Sequence, residues 1–150
     1  MEFASINLLL ADDDEDDCQF FKEALEVLPF KSTINVVNDG EQLMRLLSAE
    51  NTILPDILFL DLNMPRKSGY ECLAAIKLID KLKTLPVVVY STSIGNDILN
   101  LLNDVGANFY IQKPGNFSDL KTLILEAIVL VTQKKTPQTL NETFVIQLKK

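Results

Sequence analysis

The chain has 150 residues, enough for one domain with a proper core, and its 47% apolar and 23% charged content is that of an ordinary globular protein. A net charge of −7 argues against direct nucleic-acid binding, which needs a basic face, and the absence of histidine excludes Ser-His-Asp chemistry, His-ligated metals and histidine kinase activity in this chain. No apolar run approaches a membrane span, the N-terminus lacks the pattern of a signal peptide, and Cys18 and Cys72 fall within helical patterns, which fits a reducing cytoplasm.

Asn7 to Ala11 reads as a first strand running into Asp12 and Asp13. A helix over about Asp16–Val27 follows, with Cys18, Phe21, Leu25 and Leu28 inward and Pro29 marking its end. Asp14 to Asp17 are read as an acidic helix start, favoured by the helix dipole. The second strand spans Thr33–Val37, and a second helix after Asp39-Gly40 is expected to bury Leu43, Met44, Leu46 and Leu47. Asp56 to Leu60 forms a third strand ending at Asp61. Ser68-x-x-Glu71 is a capping box opening a third helix that buries Leu73, Ile76 and Ile79. Val87–Tyr90 is a fourth strand running into Ser91; Ile98, Leu101, Leu102 and Val105 then recur at helical spacing up to Gly106. Phe109–Gln112 is the fifth strand and runs into Lys113-Pro114. A last helix, capped by Ser118, buries Leu120, Leu123, Ile124, Ala127, Ile128 and Val131.

Strands alternating with helices predict a parallel sheet covered on both faces by right-handed crossovers. Such a sheet brings its strand carboxyl ends to one edge, where ligands bind. Three carboxylates (Asp12, Asp13, Asp61), the Ser91 hydroxyl and the Lys113 ammonium would therefore meet in one crevice. Carboxylates that close repel one another unless a hard cation neutralises them, and Mg²⁺ needs only a few of them plus water and phosphate oxygens.

Leu9-Leu10-Ala11-Asp12-Asp13, Asp61-Leu62-Asn63-Met64-Pro65, Ser91 and Lys113-Pro114, in this order and each at a strand end, resemble the CheY-like receiver domains of two-component response regulators over residues 5 to about 133. The resemblance implies a flavodoxin-like (βα)5 α/β fold with strand order 2-1-3-4-5. It implies a single-domain response regulator whose Asp61 takes a phosphoryl group, with Mg²⁺, from a phosphohistidine on a histidine kinase or histidine phosphotransfer protein. The output would be a changed surface for a downstream protein target, so the chain would not be an enzyme in the metabolic sense.

Residue by residue, the resemblance makes Asp61 the phosphoacceptor. Asp12, Asp13, Asp61 and the backbone carbonyl of Asn63 become metal ligands, and Ser91 and Lys113 the partners of the phosphoryl oxygens. Tyr110 becomes an aromatic switch coupled to Ser91, and Lys113–Pro114 a cis peptide, whose cost proline lowers. Thr92 stands where many relatives have Ala or Gly, and Asn63 and Ser93 flank the path of attacking water.

Residues 134–150 form a C-terminal tail with a strand-like alternation over 143–148. The tail is expected to dock near the fifth helix, on this domain or on a second chain, or to extend a sheet edge. Leu125, Val129 and Leu130, off the core face of that helix, make a homodimer plausible. Length and the acidic first loop resemble the phytochrome-partner response regulators. A haloacid-dehalogenase-type phosphatase is the enzyme alternative, with Asp12-x-Asp14 as its motif, but its acidic pair comes last in the chain and here it comes first. A receiver that binds its partner without phosphate is the third reading.

Overall fold

The computed structural model describes residues 5–92, 94–133 and 144–148. The elements are β1 Ile6–Ala11, α1 Glu15–Glu26, β2 Ser32–Val37, α2 Gly40–Ser48, β3 Ile57–Leu60, α3 Gly69–Leu78, β4 Val87–Ser91, α4 Asn96–Val105, β5 Phe109–Gln112 and α5 Phe117–Thr132. The five strands form one parallel sheet, as the alternation predicted, in the order β2-β1-β3-β4-β5 that the resemblance implied.

The inner strands are buried on both faces, which is why they read as unbroken apolar runs. Their side chains alternate between two cores. Leu8, Leu10, Ile57, Phe59, Val88, Tyr90, Phe109 and Ile111 face α1 and α5. Leu9, Ala11, Leu58, Leu60, Val87 and Val89 face α2, α3 and α4.

Helix starts follow local chemistry. Asp14 caps α1 by accepting from the Asp17 N–H, and Asp39 caps α2 through Gln42. Ser68 and Glu71 form the expected reciprocal box on α3. The cap of α5 is Asn116, two residues before the expected Ser118. Its amide oxygen takes the Asp119 N–H at 2.9 Å, so the helix begins where that oxygen is. Helix α4 starts at Gly95 without a side-chain cap and ends at Gly106, whose φ of 118° needs glycine.

The apolar faces are narrower than their spacing implied. On α4 only Leu102 is buried; Ile98 is 40% and Leu101 42% exposed, because this short helix meets the sheet along a single stripe. Leu46 on α2 and Ile79, the C-cap of α3, are also exposed.

The tail returns to the sheet edge. Val145 forms an isolated parallel bridge with Tyr110, and the Ile146 N–H donates to the Tyr110 carbonyl at 2.9 Å. Among the described residues the expected strand over 143–148 amounts to this one bridge. Phe144 joins one core cluster and Ile146 the other, so the segment straddles β5.

Candidate functional site

The carboxyl ends of β1, β3, β4 and β5 converge as the sequence required. Asp12 and Asp61 follow β1 and β3, Ser91 closes β4, and Lys113 follows β5. Two glycines make the close approach feasible. A Cβ on Gly69 would lie 2.1 Å from the Asp61 carbonyl oxygen, and one on Gly40 2.0 Å from that of Lys67. The loop after Asp61 is thus wedged between the starts of α2 and α3. Pro65 accepts from the Gly40 N–H at 3.4 Å, and Arg66, at a left-handed φ of 69°, pairs with Asp39 at 3.4 Å.

Asp61 is buried and held on both oxygens. The Ser91 hydroxyl donates to Oδ1 at 2.9 Å, the Asn63 N–H reaches the same oxygen at 3.3 Å, and Lys113 Nζ lies 3.3 Å from Oδ2. Ser91 therefore serves the site and not the start of α4. Asp12 is fully buried; its Oδ1 accepts from the Asp14 N–H at 3.0 Å. Its Oδ2 has the Lys113 ammonium at 2.8 Å and is otherwise without a hydrogen-bond partner. Burial pushes the Asp12 carboxyl up to about 6, against the pull of Lys113.

Lys113 is the only ammonium among these groups. Burial would lower its pKa, but its hydrogen bonds to Asp12 and Asp17 outweigh that and hold it above the usual lysine range. The Tyr90 ring lies beneath it, 5.3 Å from Nζ to the centroid, and meets Phe21 edge-on; Phe21 in turn meets Phe59 edge-on. Asp13 is exposed, yet one oxygen each from Asp12, Asp13 and Asp61 lie within 4.8 Å of one another. Clustered carboxylates, one with a buried oxygen short of donors, fit a hard divalent cation that keeps waters in its shell.

Two readings need correction. The Lys113–Pro114 bond is trans, and no described peptide bond is cis. Proline only brings the two forms close in energy, and Lys113 reaches its carboxylates from the trans form. Asp17, read as a mere helix-start charge, places Oδ2 2.8 Å from Lys113 Nζ. The sequence hint was its place in the first turn of α1, close to the strand end. Tyr110 is buried, and its hydroxyl donates to the Thr92 carbonyl at 2.8 Å. Ser93 lies outside the described residues.

A doubly wound sheet with an acidic crescent, a hydroxyl and a lysine at its carboxyl edge defines the receiver class. Residues 8–125 match the family model described as response regulator receiver domain, and the chain belongs to that family. It is therefore a CheY-like module of two-component signalling, a family of signalling modules with an acidic pocket for a divalent cation.

Among curated proteins it is 33% identical over 121 residues to response regulator Rcp1 of Synechocystis sp. (strain ATCC 27184 / PCC 6803 / Kazusa), covering 78% of this chain and 82% of that one. It is 34% identical over 122 residues to the probable methanogenesis regulatory protein FilR2 of Methanothrix harundinacea, covering 79% of each. Among solved structures it resembles the phosphorylated cyanobacterial phytochrome response regulator RcpA, with a TM-score of 0.79 and 35% identity over 89% of this chain and 98% of that one. The Mn²⁺-bound form of Rcp1 gives 0.72 and 28% identity over 95% and 99%. Among the described residues, no helix is long and apolar enough to cross a membrane.

Proposed function

We propose that the chain works as a single-domain response regulator, residues 1–133 forming the receiver and 134–150 a tail, with Asp61 as its phosphoacceptor. The observation that carries this reading is the setting of Asp61: Ser91 on one oxygen, Lys113 on the other, and Asp12 and Asp13 within ligating reach.

The donor is a phosphohistidine on a kinase or phosphotransfer protein. An Asp61 carboxylate oxygen attacks phosphorus; the P–N bond breaks and its electron pair returns to the imidazole nitrogen. The product is an acyl phosphate, from which water later displaces the carboxylate to release inorganic phosphate. Asp12, Asp13, Asp61 and the Asn63 carbonyl would hold Mg²⁺, which when bound neutralises the carboxylates and the charge on the phosphoryl oxygens. Lys113 supplies a point charge to those oxygens and Ser91 a hydroxyl that turns from Asp61 toward them.

Tyr110 lies behind Ser91 and is tied to the Thr92 carbonyl, so a movement of Ser91 reaches it. Phosphate then shifts the population of two arrangements of this edge, which a downstream protein reads. RcpA is a phytochrome response regulator in its phosphorylated form, which supports the same chemistry here. The exchange takes place in the cytoplasm, where two-component kinases present their phosphohistidine.

The test is intact mass after incubation with Mg²⁺ and acetyl phosphate. Gain of one phosphate, dependent on Mg²⁺ and lost in Asp61→Asn, is the expected result. Modification that survives Asp61→Asn would overturn the reading.

A further inference from the structure

We infer that Asp17 is a positioning residue that holds Lys113 back from Asp61 until a phosphoryl group competes for the ammonium. The inference rests on the phosphoacceptor reading of Asp61.

A lysine ammonium has three hydrogens to donate. Here Nζ lies 2.8 Å from Asp12 Oδ2, 2.8 Å from Asp17 Oδ2 and 3.3 Å from Asp61 Oδ2. The loosest contact is thus the one to the reacting carboxylate. The side chain of Lys113 is only 12% exposed, so little water is at hand to replace a lost partner. Asp12 and Asp61 each have a second task, since both belong to the carboxylate trio that a cation would bridge. Asp17 stands outside that trio, and its carboxylate has Lys113 as its only described partner. It also reaches across the fold to do so: it lies in the first turn of α1, 96 residues before the lysine.

When Asp61 becomes an acyl phosphate, its new oxygens carry more charge than one carboxylate and sit where Lys113 Nζ is already closest to Asp61. The ammonium then has to loosen one contact to serve them. Asp12 is fixed by burial and by the Asp14 N–H, whereas Asp17 is partly exposed and water can take over its oxygens. The Asp17 contact is therefore the one that yields. Its strength sets how readily Lys113 is available, both for the transfer step and for the lifetime of the acyl phosphate.

The experiment uses the full chain, saturating Mg²⁺ and acetyl phosphate, with the initial rate of Asp61 phosphorylation read by intact mass. Asp17→Asn keeps the shape and removes the charge, and we expect phosphorylation roughly twofold to fivefold faster, the scale of one partly exposed ion pair. Asp16→Asn removes the same charge from an exposed neighbour and should leave the rate near wild type. Asp17→Glu, which restores the carboxylate, should return the rate toward wild type. In a Lys113→Ala background the effect of Asp17→Asn should vanish, because the two residues act through one contact. Equal rates for Asp17→Asn and Asp16→Asn, or an acceleration that persists without Lys113, would overturn the inference while leaving the phosphoacceptor reading intact. A wild-type chain that takes no phosphate at Asp61 would remove both.

Discussion

Asp12 illustrates how one residue carries opposing demands. Burial raises its carboxyl from 3.8 to about 6, so the folded state binds that proton more tightly than the unfolded chain does. Without Mg²⁺, stability is therefore expected to fall as pH rises from about 4 to about 6, and to stay lower above that window. Asp12→Asn, which mimics the neutral acid, should stabilise the metal-free protein at pH 7 by about 1–3 kcal/mol, measured by urea unfolding. The same variant should lose most of its Mg²⁺ affinity. In the wild type, Mg²⁺ binding followed by calorimetry should weaken progressively below pH 6, because the cation must displace that proton.

Asp12, Asp13, Asp61, Ser91 and Lys113 were legible in the sequence because each ends a strand of one parallel sheet. Asp17 was not, since an acid in the first turn of a helix already has a sufficient local explanation in the helix dipole. Only the tertiary structure shows that its carboxylate turns toward a lysine far along the chain.

At the scale of elements, the loop between β3 and α3 is positioned by what its neighbours lack. Gly69 has room for a hydrogen and nothing more against the Asp61 carbonyl. Gly69→Ala should cost about 1–3 kcal/mol in urea unfolding, as overpacking does, and should slow Asp61 phosphorylation by shifting the strand end. Gly95 and Gly115, whose Cβ positions meet nothing within 4 Å, supply controls that should tolerate alanine.

The strand order was implied by the resemblance to receiver domains, whereas the capping box and the stop at Gly106 were readable from sequence because each is a local pattern. The exposed side of α4 was not. Spacing identifies which residues share a face, but how much of that face a sheet covers depends on the neighbouring helices.

Across the whole molecule, the described part of the tail, 144–148, is held to the sheet by few contacts. One bridge and the side chains of Phe144 and Ile146 attach it to β5, whereas β4 is paired on both sides. The Ile146 amide should exchange with deuterium at least about a hundredfold faster than those of Val88 and Val89, reporting local opening and not global unfolding. Equal protection would mean that the tail belongs to the same cooperative unit as the sheet.

The chain has three tyrosines and no tryptophan. One of the three, Tyr90, lies under Lys113, and another, Tyr110, is bonded to the carbonyl just past Ser91. Two of its three dominant ultraviolet emitters therefore flank the reacting edge. The protein carries its own optical gauge: on the phosphoacceptor reading of Asp61, its native emission should change with cation binding and phosphorylation, without a label and without an indole to drown the signal.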